Sequence, residues 1–307
     1  MDQILINEIK NFGSFPEWGK LTDKGFDKSG YEMAILRATR DLTPRTLTPI
    51  KRNDEIKPLN YLLSYPKNEI IAGYEGEKSF YDIIQEYFSN DPVDTKEDFD
   101  EWHDFVCTKI VLPVVQHFYT NRDAEHSPVC YGKAQKIVNI TLKCCYCLDG
   151  ARDREDYFTY CHVPLDSFTL NWYKKNGGQI DTEWSKLDEV EYEEIQKFIR
   201  NIEPDIELFN NLTPLQKEFL IWRLEIMKST VKAVNSCLGG MIDESYATDY
   251  LEKHGMGNEL KMAKFILRQT NLSDIVSDAD FRNWLDKIPQ NRKNKPTAEY
   301  IISLLQE

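Results

Sequence analysis

The sequence predicts an all-α protein, and three observations carry that prediction. Apolar residues recur at helical spacing through most of the 307 residues. Alternating strand patterns are few. Several helical windows stop at helix breakers: the Pro44–Pro49 region, Asn176-Gly177-Gly178 and Pro204.

Taken in order, Tyr31 to Arg40 reads as a helix that the Pro44–Pro49 region ends. Residues 41–70 carry Pro44, Pro49, Pro58 and Pro66, which predicts an extended connection with short elements. Ser79 to Phe88 places Phe80, Ile83, Ile84 and Phe88 on one helical side. Phe99 to Thr120 reads as one helix kinked at Pro113, followed by a turn over 120–131 and a helix from Lys133 to Leu148. A charged loop, Asp149 to Asp156, leads to Tyr157–Leu165. Asp166 follows Pro164 and is placed to cap a helix ending near Lys175. Leu187 to Ile202 is an acidic helix, and further helices are expected at 214–236, 245–270, 279–287 and 297–306. No repeat is visible. The length suits two helical domains, or one with an extension. The expected division is an N-terminal segment 1–70, a helical lobe 71–203 and a C-terminal lobe 204–307.

Composition narrows the class. Apolar residues make up 41% and charged residues 29%, enough for a core and too polar for a membrane protein. No run approaches the roughly 18–20 apolar residues of a spanning helix. The opening Met1-Asp2-Gln3-Ile4 lacks the basic, apolar pattern of a secretory signal, so the expected location is the cytoplasm. Seven cysteines, with Cys144, Cys145 and Cys147 crowded together, fit reduced thiols better than a disulfide framework. The net charge of −13 is concentrated: residues 75–104 carry −9, residues 178–209 carry −7, and the remainder is +3. A cationic face for a nucleic acid is therefore permitted, though not required.

One segment stands out, Tyr131-Gly132-Lys133-Ala134-Gln135-Lys136-Ile137-Val138-Asn139-Ile140-Thr141-Leu142-Lys143. On a helix, Ala134, Ile137, Thr141, Cys144 and Leu148 line one inward face. Lys133, Lys136, Ile140, Lys143 and Cys147 fall on another. The lysine stripe is either the solvated face of an amphipathic helix or a functional cluster. Further on, a carboxylate at Asp166 held by backbone N–H groups would stay ionised and fixed, as a stabiliser of positive charge must.

Gln135-Lys136, Lys143 seven positions later, and Pro164-x-Asp166 resemble the helix–hairpin–helix DNA glycosylases, most closely the archaeal-type 8-oxoguanine glycosylase/lyase branch. A second block, Leu212-Thr213-Pro214-Leu215-Gln216-Lys217-Glu218-Phe219-Leu220-Ile221-Trp222, resembles the Pro-Leu segment of that family. The resemblance implies two helical lobes around a cleft and Lys136 as the nucleophile at the sugar C1′, assisted by Asp166. It implies base contacts from Ile140, Glu218, Trp222 and Pro164, and DNA contacts from Lys133, Gln135 and Lys143. The partner implied is DNA carrying a damaged or modified base, with no metal and no cofactor, and the protein is expected to be a monomer. The branch has an aromatic residue where this chain has Ile140, and an aspartate where it has Glu218. A base of different shape follows, a bulky modified base of phage DNA being one such class.

Other readings of the sequence are a non-catalytic helical adaptor and a HEPN-like ribonuclease built on Arg122 and His126. Cys144, Cys147, Cys161 and His162 also raise a zinc site, against which packing thiols are weighed.

Overall fold

The computed structural model describes residues 3–14, 19–46, 57–65, 70–118, 130–202, 209–222 and 224–225. The expected turn over 120–131 lies almost wholly outside the described residues. So do Arg122 and His126, and the helices expected beyond residue 225. The described residues are helical and contain no strand. None of their helices is long and apolar enough to cross a membrane. The chain divides into two compact units, one of residues 5–202 and 211–218, the other of residues 1–4, 203–210 and 219–307. The first holds nearly everything described below.

Its helices are α1 (Gln3–Ser14), α2 (Lys28–Thr46), α3 (Lys57–Leu63), α4 (Phe80–Tyr87), α5 (Lys96–Phe105), α6 (Leu112–Phe118), α7 (Tyr131–Cys145), α8 (Ser167–Lys175) and α9 (Glu189–Asn201). A tenth helix, α10, starts at residue 214.

Local chemistry explains most boundaries. Ser79 caps α4 in a capping box with Asp82, and Asp188 caps α9 in the same way with Glu191. At α10, the Thr213 hydroxyl accepts from Gln216 N at 3.4 Å, Gln216 Oε1 accepts from Thr213 N at 3.1 Å, and Pro214 opens the helix. Asp166 caps α8, as its place after Pro164 predicts, and Gly177 turns the chain beyond that helix at φ 96°.

Two elements differ from expectation. The helix read as continuous from Phe99 to Thr120 is α5, a π-helical segment (Val106–Val111) and α6. Pro113 has no N–H for the Lys109 carbonyl four residues earlier, and that carbonyl instead accepts from Glu75 N at 3.0 Å. The wider turn thus comes just before the proline. The charged stretch read as a loop is mostly 3₁₀-helical over Ala151–Phe158, in two pieces joined by a kink at Arg154 (φ −128°, ψ 25°), and is entered through Gly150 at φ 81°.

Helix α7 is the centre of this unit. It packs most extensively on α2, and also against α6, α9, the π segment and the short 3₁₀ turn Trp184–Lys186. The predicted inward face, Ala134, Ile137, Thr141, Cys144 and Leu148, is buried. The lysine face is buried as well. Every residue of α7 except Ile140 is buried, so the solvated-stripe reading is not what this helix shows. Helical periodicity identifies one apolar face, but it does not show that α2 lies across the other.

Candidate functional site

A lysine loses favourable hydration when buried, so each buried ammonium requires a compensating partner. Lys136 has two. Its Nζ lies 2.7 Å from Asp41 Oδ2 on α2, with the lysine side chain 8% exposed and the aspartate 31%. The same Nζ sits 4.5 Å from the centroid of the Trp184 ring, close enough for a cation–π contact. Trp184 is brought there by a tight backbone approach. Gly132 N donates to Leu187 O at 3.0 Å, and a Cβ on Gly132 would meet Trp184 O at 2.0 Å. Glycine at 132 is what lets the 3₁₀ turn close over the start of α7. The Gly132 N–H is therefore engaged within the fold, as is the Lys133 N–H, which donates to Cys130 O at 3.0 Å.

The Pro164-x-Asp166 segment is fastened to α7 and α9 by side-chain amides. Gln135 Nε2 donates to Leu165 O at 3.1 Å, while Leu165 N donates to Gln135 Oε1 at 3.3 Å. Gln196 of α9 does the same for Val163: Val163 N donates to Gln196 Oε1 at 3.1 Å, and Gln196 Nε2 donates to Val163 O at 2.7 Å. Two amide side chains thus pair with alternate residues of an extended strap, as a neighbouring β-strand would. The residue before Asp166 is held by the residue before Lys136. The carboxylate of Asp166 is fixed in turn: Oδ1 accepts from Phe168 N at 2.8 Å and Thr169 N at 3.1 Å. No ion pair joins it to Lys136, whose ammonium faces Asp41.

Behind the strap runs a buried polar chain. Asp100 accepts from His162 Nε2 at 2.7 Å, and His162 Nδ1 lies 2.7 Å from the Tyr192 hydroxyl. Asn139 Nδ2 donates to that hydroxyl at 2.8 Å and to Gln135 Oε1 at 2.9 Å. Asn139 Oδ1 is 2.8 Å from His103 Nε2. Each donor finds one acceptor if both imidazoles are neutral with the proton on Nε2 and Tyr192 donates to His162. Burial favours that neutral state. It depresses His162 to about 4 against the opposing hydrogen bond that His162 donates to Asp100, and it holds His103 well below the ordinary histidine range. Asp100 also receives a bidentate Arg200, at 2.6 and 3.0 Å. Burial opposes its ionisation, but the hydrogen bonds from His162 and Arg200 outweigh burial and hold its carboxyl low.

Other predicted residues lie elsewhere. Lys143 and Glu218 form an ion pair with each other, each side chain 3% exposed, and Lys143 Nζ also lies 4.2 Å from the Phe12 ring centroid. Lys133 is buried at 1% exposure. Pro164 is buried, with its carbonyl accepting from the Thr169 hydroxyl at 3.0 Å. Ile140 is half-buried. Trp222 belongs to the other compact unit. Cys144, Cys147 and Cys161 are buried free thiols. Burial pushes Cys144 up to about 11 and the other two higher still. Among the described residues, no group of three or more His, Cys, Asp or Glu side chains is arranged to hold a metal ion.

Asp41 and Trp184 escape a reading of the sequence. Asp41 sits where a proline-rich stretch begins, and Trp184 sits in a short turn within an acidic segment, so neither has a periodic or motif signal. The polar chain is missed for a related reason, because its members are spread from Asp100 to Arg200. Comparison with known proteins adds no relative to this geometry: no family, no curated protein and no solved structure matches the chain significantly.

Proposed function

We propose that the chain is a base-excising DNA glycosylase with lyase capability, and that Lys136 is its amine nucleophile. One observation carries the reading. A lysine on a buried helix extends its ammonium to a part-exposed carboxylate and an aromatic ring, where solvent is largely excluded. An amine held in a dry, oriented position is what covalent attack on a sugar carbon requires. The resemblance of Gln135-Lys136 and Pro164-x-Asp166 to the glycosylase pattern points the same way. The Gln135–Leu165 hydrogen bonds support it further, because they tie the two parts of that pattern to each other.

In this reading the target nucleotide leaves the stack, since its C1′ is out of reach within a duplex. Cleavage of the glycosidic bond develops positive charge on the sugar. The part assigned to Asp166, whose carboxylate is fixed by two amides, is to stabilise that charge. Attack by Lys136 gives a Schiff base at C1′, from which strand cleavage by elimination can follow.

Borohydride trapping on DNA carrying candidate damaged or modified bases tests the proposal. The expected result is a covalent protein–DNA adduct that disappears in Lys136→Ala. An adduct that persists in that variant, or none on any substrate, defeats it.

A further inference from the structure

Resting on the excision reading, we propose that Asp41 is the carboxylate that takes up and returns the protons of Lys136 during the reaction. Asp41 lies about a hundred residues ahead of Lys136, outside both sequence blocks that carry the glycosylase resemblance. Geometry separates it from Asp166. Asp41 Oδ2 is within 2.7 Å of the ammonium nitrogen, a direct proton-transfer distance. Asp166 is committed through Oδ1 to two amides of α8, and Lys136 makes its ion pair with Asp41. Exposure separates the two members of the pair as well: the lysine side chain is 8% exposed and the aspartate 31%. The acceptor can thus exchange its proton with water while the amine stays shielded. Trp184 positions the nitrogen from another side.

The step balances with these groups alone. The ammonium of Lys136 gives one proton to Asp41, and the freed lone pair forms the Nζ–C1′ bond. The C1′–N glycosidic bond breaks, its electron pair leaves on the base, and that proton passes on to the departing base. The new secondary ammonium then loses a proton to Asp41. As nitrogen forms a double bond to C1′, the C1′–O4′ bond breaks, and O4′ takes its electron pair and that proton. The product is a protonated imine, an opened sugar and a neutral base.

DNA containing an abasic site is the probe, because its sugar aldehyde reacts with the amine whatever base the enzyme prefers. Wild type with borohydride should yield an adduct that peptide mass spectrometry assigns to Lys136. Asp41→Asn should trap about 100-fold more slowly at neutral pH, in the usual range for loss of a general base. Its rate should rise with pH more steeply than that of wild type, as hydroxide replaces the missing carboxylate. Asp41→Glu, which keeps the carboxylate but displaces it, should recover part of the rate and the wild-type pH profile. If Asp41→Asn does not fold, the glutamate variant decides through its pH profile: a rate that rises with pH more steeply than that of wild type, despite the retained carboxylate, overturns the proposal. It is also overturned by an unimpaired Asp41→Asn protein labelled at Lys136, which leaves the nucleophile standing. A defect equal at every pH and not relieved by glutamate overturns it too, showing that Asp41 only supports the fold. Absence of any wild-type adduct removes the excision reading and this inference together.

Discussion

Replacing Glu218 with glutamine removes one charge from an ion pair whose members are each only 3% exposed, and the cost follows from that burial. At an effective dielectric of about 20, opposite charges at close contact attract by roughly 4–5 kcal/mol. The Phe12 ring lies against Lys143 in both proteins, so its cation–π attraction cancels from the difference. Glutamine keeps an oxygen that can accept a hydrogen bond. The expected net loss is therefore about 3 kcal/mol, at the lower edge of what stranding one member of a buried pair costs. For a folding unit of this size, that corresponds to a fall in melting temperature of roughly 6–12 °C. Lys143→Met should cost a similar amount by leaving the carboxylate stranded. The double variant Lys143→Met with Glu218→Gln should lose much less than the two single losses together, since no uncompensated charge remains. Denaturant unfolding of all four proteins, followed by far-ultraviolet circular dichroism, measures the cycle. Single variants within about 1 kcal/mol of wild type, or a double variant equal to the sum of the singles, would refute the reasoning.

The remaining predictions concern the buried histidines and the closure at Gly132. His162 is held near 4 in the fold against an ordinary 6.5. The unfolded chain therefore binds the extra proton first as pH drops. Stability should be full above about pH 6.5 and fall by about 3 kcal/mol as the pH approaches 4, with His103 adding loss in the same direction. Denaturant midpoints measured between pH 7 and 4.5 test this; a flat profile, or an unchanged slope in His162→Gln, contradicts it. Gly132→Ala gains roughly 1 kcal/mol of helix propensity, but its Cβ would lie 2.0 Å from Trp184 O. The clash should win, with a net loss of about 1–3 kcal/mol and a changed tryptophan fluorescence as the ring leaves Lys136. A variant as stable as wild type would show that the turn does not close so tightly.

Much of the local structure is legible in the residues. Ser79 and Asp82, Thr213 with Pro214 and Gln216, and Asp166 after Pro164 announce where helices start, because a cap needs only residues within one turn of each other. The inward face of α7 is equally readable, since Ala134, Ile137 and Thr141 recur with the helical period. The π segment before Pro113 is less accessible to such reading. Proline signals a break, yet the carbonyl it frees is taken by Glu75, more than thirty residues away.

The candidate site divides along the same line. By itself the sequence determined a helical protein with a lysine-bearing helix and a capping aspartate after a proline, and a family resemblance marked Lys136 and Asp166 as candidates. Only the tertiary structure decided that the lysine face is buried, that Asp41 and Trp184 receive the Lys136 ammonium, and that Lys143 and Glu218 neutralise each other. The physical reason is range. Periodicity and caps express backbone geometry over a few residues, whereas a charge taken out of water must be compensated by whichever element the fold lays across it. For Lys136 that element is α2, almost a hundred residues earlier in the chain.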